Sequence, residues 1–272
     1  CIAGTSIGGI IALALATGKT GEQLVEVFKL NAEIIFAKKP WYHSWYYSSK
    51  YDNAGLRNVI NSLLGDYSEA TLQELKQYSG LDLLIPTVEM DTGKTILLSS
   101  SDEQTKQWKL LDVALATSAA PTFFPAHVRD KTRYIDGGVS CNMPDIFAAQ
   151  KYCQMRGIEI SSLNILSIGT GFVSEKDCPA TEIDSNAGAV KWAVNLEYFI
   201  NVQTPIVVEQ SRYFFPKNRY ARFDSQLNSE IKLDNTSDFA FNSLIALAHK
   251  ATEKEEIQKN NAAFVFWSEA NN

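Results

Sequence analysis

Ser6 stands in a pattern that could supply a catalytic nucleophile. Gly4-Thr5-Ser6-Ile7-Gly8 fits G-x-S-x-G, in which a strand turns sharply into a helix and presents the serine at the turn. We expect Gly4 and Gly8 to give clearance against the neighbouring strand and helix, with Gly9 extending it. The N-terminus of the helix and the Ile7 N–H would favour a developing negative charge. The same glycines would also suit a purely structural strand-to-helix turn.

A serine nucleophile needs a group that accepts its proton, and Asp136 is a candidate. Asp136-Gly137-Gly138 follows a short predicted strand, Arg133 to Ile135. In α/β sheets the functional edge lies beyond the carboxyl ends of the strands, where both Ser6 and Asp136 are predicted to lie. A carboxylate in a partly dry site can act as a base. An Asp-Gly pair is also a common turn, so this reading has a structural alternative.

Histidine is the more usual partner of a serine nucleophile, in the order serine, acid, histidine. Of the three histidines, His249 is the one late enough to fit this order with room to spare. It lies near the end of a predicted helix, where histidine more often interacts with the helix dipole. His127 lies in a predicted loop and His43 among aromatic residues, and no orienting acid is evident for either. A Ser-His-Asp esterase or thioesterase that uses His249 is therefore the alternative enzyme.

Helical and strand patterns alternate along the chain, which indicates an α/β layered domain. A capping box at Thr20 and Gln23 predicts the start of the second helix. The turn Asp91-Thr92-Gly93 separates two predicted strands. The main predicted helices are Ile7–Thr17, Gly55–Leu64, Leu110–Thr117, Asp145–Arg156, Ala187–Asn201 and Asp238–Lys254, and the strands are Leu81–Val88, Thr95–Ser99 and Leu163–Ile168.

The composition excludes several classes of function. The 272 residues carry a formal charge of −6, so a nucleic-acid partner is not expected. The four cysteines form no CxxC pair and are predicted to be free thiols, so no zinc site is expected. The sequence has no run of eighteen apolar residues that could cross a bilayer.

Four segments, in this order and spacing, resemble the patatin-like phospholipase family. The first is the nucleophile pattern at Ser6, and the third is Tyr134-Ile135-Asp136-Gly137-Gly138-Val139. Between them lies Ala116-Thr117-Ser118-Ala119-Ala120-Pro121-Thr122-Phe123-Phe124-Pro125, and the last is Leu166-Ser167-Ile168-Gly169-Thr170-Gly171. The resemblance implies Ser6 as nucleophile, Asp136 as base, and hydrolysis of fatty-acyl esters in phospholipids or other lipids through an acyl-enzyme. It implies no metal and no cofactor.

The resemblance also implies the fold, a patatin-like layered α/β domain with a largely parallel central sheet and helices on both faces. In that family a first strand and a glycine-rich oxyanion loop precede the nucleophile. We therefore expect residues 1–272 to form a single domain without that strand and loop. A smaller departure is Asn142-Met143-Pro144, where the family often has two asparagines before the proline.

Six aromatic residues precede the third predicted helix: Trp41, Tyr42, Trp45, Tyr46, Tyr47 and Tyr51. Such residues favour a membrane interface, although packing over the protein's own core is the more common use of aromatic surface. The expected location is the cytoplasm or a peripheral membrane surface, with secretion left open. The alternative outside enzymes is a catalytically silent lipid-binding or storage protein.

Overall fold

The computed structural model describes residues 1–39, 48–173, 196–227 and 231–253. Five of the six aromatic residues and Cys178 lie outside this part, as does most of the predicted helix Ala187–Asn201. The chain divides into two compact units, Cys1–Pro144 with Phe199–Thr204, and Asp145–Tyr198 with Pro205–Asn272. The single-domain interpretation stays a prediction. No described helix combines the length and apolar character that a bilayer crossing needs.

The first unit consists of a five-stranded sheet flanked by helices, which confirms the α/β prediction. Its strands are β1 (Ile2–Ala3), β2 (Leu83–Glu89), β3 (Lys94–Ser99), β4 (His127–Arg129) and β5 (Thr132–Asp136). Its helices are α1 (Ile7–Ala16), α2 (Gly21–Ile35), α3 (Ala54–Leu64), α4 (Leu72–Ser79), α5 (Leu110–Thr117) and α6 (Gly138–Cys141).

The prediction of a largely parallel sheet is wrong for this unit. Among the described strands of this unit, only β1 and β2 pair in parallel, whereas β2 pairs antiparallel with both β3 and β5, and β4 pairs antiparallel with β5. Short connections explain the β2–β3 and β4–β5 pairs, because a tight turn can join only antiparallel neighbours, whereas β2 and β5 are distant in the chain. The predicted turn at Asp91-Thr92-Gly93 joins β2 to β3. A two-residue turn at Asp130 and Lys131, which the sequence pattern did not reveal, joins β4 to β5.

Local sequence signals explain where the helices begin. Thr20 and Gln23 form both bonds of the predicted capping box at the start of α2. Thr71 and Glu74 form a second capping box, which starts the helix α4 that sequence analysis missed. Apolar faces of α1, α3, α4 and α5 pack together over the buried strand β2. Tyr51, the one described member of the aromatic cluster, is buried in this core, as the packing interpretation expects.

Strands β1 and β5 meet the same edge of β2 from opposite directions. The N–H groups of Ile2 and Gly4 donate to the carbonyls of Asp82 and Leu84, and the Met90 N–H donates to β5 at Arg133. Alternate residues of a strand direct their backbone groups to opposite edges, so these even-numbered positions share one edge. Since β1 is parallel and β5 antiparallel to β2, both strands end toward Pro86. The chain segments that follow the two strands therefore converge there.

The described residues of the second unit form two small parallel pairs of strands. Strand β6 (Ile165–Ile168) pairs with β8 (Tyr220–Phe223), and β7 (Phe172–Val173) pairs with β9 (Gln226–Leu227). The remaining described helices are α7 (Asp145–Arg156), α8 (Leu196–Asn201), α9 (Gln203–Phe214) and α10 (Asp238–Ala251); α8 and α9 straddle the boundaries between the units.

A partly buried polar network holds the β6–β8 pair of the second unit. The Arg222 guanidinium donates to Ser167 Oγ at 2.7 Å and pairs with Asp224 at 2.5 Å. The Tyr220 hydroxyl donates to Asp145 Oδ2 at 3.2 Å. Burial raises the pKa of Asp145 and raises the pKa of Tyr220 to about 12. These contacts tie β6 and β8 to the start of α7.

The turn between β4 and β5 leads to a stability prediction. Asp130 and Lys131 both have positive φ, 50° and 68°, which costs a non-glycine residue about 1–2 kcal/mol. Two-residue hairpins with positive φ at both positions favour glycine at the second. We expect Lys131→Gly to increase the free energy of unfolding by about 1 kcal/mol, because it removes this backbone strain.

The control is Lys29→Gly in the exposed part of helix α2, where glycine lowers stability by about 1 kcal/mol relative to good helix formers. Urea unfolding of both variants measures the two changes. Equal losses of stability in both variants would contradict the account of the hairpin.

Candidate active site

Ser6 lies at the turn between β1 and α1 in a strained backbone conformation. Its φ is 56° and its ψ is −125°, a region that non-glycine residues occupy at a cost of about 1–3 kcal/mol. The side chain is partly exposed. The Ser6 N–H donates to Thr117 Oγ1 at 3.0 Å. A strained, partly exposed serine at a strand-to-helix turn is the geometry that the sequence pattern predicted.

The glycines around Ser6 do not all serve the predicted purpose. A Cβ added at Gly4 would lie 2.1 Å from the Gly8 carbonyl oxygen, so this position requires glycine. A Cβ at Gly8 would meet nothing within 4 Å, so the prediction of a collision there is wrong. The second close contact is at Gly9, where a Cβ would lie 2.8 Å from Thr117 Cγ2. Gly8 lies in the first turn of α1, and the space that a Cβ there would occupy is empty.

Asp136 ends strand β5 and faces Ser6. The Ser6 hydroxyl donates to Asp136 Oδ2 at 2.5 Å. The other carboxylate oxygen, Oδ1, accepts the Gly138 N–H at 2.7 Å. This second bond fixes the carboxylate plane and leaves Oδ2 directed at the serine. The structure thus brings together the predicted nucleophile and the predicted base, which lie 130 positions apart in the sequence.

The surroundings of Asp136 make its carboxylate a stronger base than usual. The residue is 2% exposed. Burial raises its pKa to about 6, against the opposing effect of hydrogen bonds from Ser6 and Gly138. At neutral pH the group is still mainly ionised, and its proton affinity is close to that of a histidine. A base of this strength is suited to proton transfer near neutral pH.

The backbone around Asp136 is tied to the end of helix α5. The N–H groups of Asp136 and Gly137 donate to the carbonyls of Ala119 and Thr117, at 3.0 and 3.3 Å. A Cβ at Gly137 would lie 2.4 Å from the Pro86 carbonyl oxygen, so only glycine lets the chain pass so close to β2. These contacts set the position of the carboxylate relative to β2.

The loop after Asp136 has a further support at Gln203. Its side-chain amide donates to the carbonyls of Gly138 and Val139, at 3.0 and 3.2 Å. The side-chain oxygen of Gln203 accepts the N–H of Asn142, at 3.3 Å. This support involves residues 61 to 65 positions away in sequence, and no local pattern indicated it.

The Ile7 N–H is directed toward no hydrogen-bond acceptor among the described residues, whereas the N–H groups of Gly8 and Gly9 donate to Thr5 and Ser6. It lies at the first position of the ten-residue helix α1. An unpaired N–H at this end of a helix can stabilise a negative oxygen. The oxyanion role of Ile7 stays a prediction.

The histidines of the described residues do not contact Ser6. His127 is buried in β4, and its Nε2 lies 3.2 Å from Asp112 Oδ1. This contact lowers the pKa of Asp112. His249 is exposed in the last turn of α10, in the second unit, where the sequence analysis expected a helix-dipole contact. His43 lies outside the described residues.

The comparison with protein families decides which group this chain belongs to. A family model described as Patatin-like phospholipase matches residues 1–146, more than half of the chain. The chain belongs to the patatin-like phospholipase family. The matched range contains both Ser6 and Asp136 and three of the four segments that carried the resemblance, so the family prediction is confirmed; the fourth segment, Leu166 to Gly171, lies outside the match. The predictions of a hydrolase and of a lipid acyl hydrolase are confirmed with it.

Several relatives of this patatin-like phospholipase are similar over much of its length. A cGAMP-activated phospholipase of Vibrio cholerae serotype O1 is 28% identical over 98% of this chain and 82% of the relative. One of the same name from Escherichia coli is 36% identical over 62% of this chain and 49% of the relative. Patatin-like protein 1 of Oryza sativa subsp. indica is 26% identical over 72% and 54%.

Proposed function

We propose that this phospholipase hydrolyses fatty-acyl esters with Ser6 as nucleophile and Asp136 as the base. The observation that carries the proposal is the 2.5 Å hydrogen bond from the Ser6 hydroxyl to the buried Asp136 carboxylate. A nucleophile in direct contact with a base whose pKa lies near the operating pH is the basic requirement of this kind of covalent acyl transfer. No histidine is needed for this chemistry.

The first half of the reaction forms an acyl-enzyme. Asp136 accepts the Ser6 proton while Ser6 Oγ bonds to the ester carbonyl carbon. The carbonyl oxygen becomes negative, and we assign its stabilisation to the Ile7 N–H at the N-terminus of α1, which has no acceptor among the described residues. The carbon–oxygen bond to the alcohol portion then breaks. Asp136 returns its proton to that leaving oxygen, and the fatty acyl group stays on Ser6.

The second half releases the fatty acid, with water as the nucleophile and Ser6 as the leaving group. Asp136 takes a proton from water, and the water oxygen attacks the acyl carbon. The bond between this carbon and Ser6 Oγ breaks, and Ser6 recovers its proton from Asp136. The cycle consumes one ester and one water and gives an alcohol and a carboxylic acid.

The proposal is tested by hydrolysis of p-nitrophenyl esters of increasing chain length and of phospholipid vesicles. We expect Ser6→Ala to reduce hydrolysis to the level of the blank and His249→Gln to keep it within about twofold, because His249 has no part in the mechanism. Longer chains should react faster, since each buried methylene contributes up to about 0.8 kcal/mol. An inactive His249→Gln would instead support the triad, and equal rates for acetyl and long-chain esters would contradict a lipid substrate.

We further propose that cGAMP activates the enzyme. The support is the name of three relatives, cGAMP-activated phospholipase, of which the Vibrio cholerae protein aligns with 98% of this chain. The same assay with and without cGAMP tests this, with Ser6→Ala as the blank. An increase that depends on Ser6 is the expected result, and an unchanged rate at saturating cGAMP would contradict it.

A further inference from the structure

Thr117, the last residue of helix α5, links the parts of the site that come from distant regions of the chain. It is completely buried. Its hydroxyl oxygen accepts the Ser6 N–H at 3.0 Å, and the same hydroxyl donates to the Pro86 carbonyl of β2 at 2.6 Å. Its own carbonyl accepts the Gly137 N–H at 3.3 Å. One residue therefore contacts the nucleophile, the central strand and the loop that follows Asp136.

The bond to Ser6 acts on the strained residue itself. A positive φ at a serine persists only where the surroundings hold it. The Ser6 N–H has the Thr117 hydroxyl as its acceptor, and without it a donor beside the core would lose its partner. Relaxation of the turn would move Ser6 Oγ relative to Asp136, and a displacement of about 1 Å can lower a rate by about 100-fold.

The end of α5 is itself held in place by another buried threonine. Thr87 in β2 donates to the carbonyls of Ala116 and Ile135, at 3.2 and 2.8 Å. The Asp136 N–H donates to Ala119 in the turn after α5. The position of Thr117 is thus fixed from β2 and from β5, so its hydroxyl can impose that position on Ser6.

We propose that Thr117 is a positioning residue for the nucleophile, which acts through the hydrogen bond from the Ser6 N–H to its hydroxyl. This inference rests on the proposed role of Ser6. It adds the hydrogen bond that keeps the Ser6 hydroxyl within reach of the Asp136 carboxylate. The methyl group of Thr117 faces Gly9, so packing and hydrogen bonding come from different atoms of the side chain. Substitutions can separate the two.

The experiment compares four variants. Thr117→Val replaces the hydroxyl with a methyl group of similar size. Thr117→Ser keeps the oxygen and removes the methyl group, whereas Thr117→Cys differs from it only in having sulfur, a weak hydrogen-bond acceptor. Thr105→Val is the matched control. The Thr105 hydroxyl also accepts a backbone N–H and donates to a carbonyl, both of Ser99, at 2.9 and 3.2 Å, and it is similarly buried.

We expect Thr117→Val and Thr117→Cys to lower kcat by about 10- to 100-fold with KM within about twofold, because placement and not binding is lost. The rate at which a fluorophosphonate labels Ser6 should fall by the same factor. The pH midpoint of kcat/KM should stay near pH 6, since burial, the main cause of the raised Asp136 pKa, does not change in these variants. Thr117→Ser and Thr105→Val should keep both rates within about threefold.

Two results would overturn the proposal. Labelling of Thr117→Val and Thr117→Cys at the rate of Thr105→Val would show that the hydroxyl positions nothing. A loss in Thr117→Ser as large as in Thr117→Cys would assign the effect to packing of the methyl group. If Thr117→Val does not fold, the Ser and Cys variants still decide between these outcomes. A Ser6→Ala protein that remains active would refute the nucleophile itself, which separates the two failures.

Discussion

Asp136→Asn is expected to lower kcat by about 10²- to 10⁴-fold, the usual contribution of a general base. The carboxamide has nearly the shape of the carboxylate, and its oxygen can still accept the Gly138 N–H that Oδ1 accepts now. It cannot take the proton of Ser6. Rates of long-chain ester hydrolysis, with Ser6→Ala as the blank, measure the loss. Retention of more than about a tenth of the activity would exclude Asp136 as the base.

The same carboxylate should set the pH dependence of the wild-type enzyme. A base must be ionised, and burial raises the pKa of Asp136 to about 6. We therefore expect kcat/KM to rise with pH and to reach half of its maximum near pH 6. A midpoint near pH 4 would contradict a buried, desolvated base.

The raised pKa of Asp136 also predicts how the stability of the protein changes with pH. The folded state favours the neutral carboxyl, so the contribution of Asp136 to stability is present below about pH 4 and is lost as the pH rises through about 6. At neutral pH the buried charge lowers stability by up to about 3 kcal/mol relative to the protonated form, because burial raises the pKa of Asp136 to about 6. We expect Asp136→Asn to unfold at higher urea concentration than the wild type at pH 7.5, with the difference smaller at pH 4.5.

Asp112→Asn is the matched control for the two effects expected of Asp136→Asn, the loss of kcat and the gain of stability at neutral pH. Asp112 is also a carboxylate on an element of the site, in helix α5, but the facing His127 lowers its pKa. Its stabilising contribution is therefore present above the unfolded pKa and is lost as the pH falls. The same substitution should here reduce stability at neutral pH and leave kcat close to the wild-type value.

Gly4→Ala is expected to destabilise the protein by about 3 kcal/mol or more and to abolish hydrolysis. The added Cβ would lie 2.1 Å from the carbonyl oxygen of Gly8. The obstacle is backbone, so either β1 or the start of α1 must move, and overpacking of this kind costs about 1–3 kcal/mol even where side chains can adjust. Urea unfolding and ester hydrolysis measure the two losses.

Gly8→Ala supplies the contrast, because the added Cβ meets nothing within 4 Å. Gly8 is helical, and alanine is favoured over glycine in a helix by up to about 1 kcal/mol. The same change four residues along should thus leave stability unchanged or raise it. Equal destabilisation by the two substitutions would contradict the geometry of the turn.

The sequence predicted those features that depend on local chemistry. The turn at Ser6, the capping box at Thr20 and the helix Leu110–Thr117 all follow from residues close together in the chain, and the structure has them. The position of Asp136 followed from a strand that ends in Asp-Gly-Gly. Proximity of Ser6 and Asp136 needed the further assumption that both strands end at one edge of a sheet.

Features that depend on distant contacts were not predicted. The hydroxyl of Thr117 accepts the N–H of Ser6, which is 111 residues away in the sequence. No residue next to Thr117 in the sequence indicates that partner. The turn at Asp130 and Lys131 lacks the glycine that marks such hairpins, so the antiparallel pairing of β4 and β5 went unnoticed. The difference between Gly8 and Gly9 depends on which of them faces Thr117, which is a property of helix packing.

The convergence of β1 and β5 on one edge of β2 has a consequence for how the enzyme acquires its activity as it folds. The Ser6–Asp136 contact closes a loop of 130 residues, and contacts of such separation are slow to form because loop closure must precede them. Hairpins such as β2–β3 can form earlier from neighbouring residues. A partly folded chain can therefore have most of its secondary structure while Ser6 still lacks its contact with Asp136. Reactivity at Ser6 thus indicates that the first unit has finished folding.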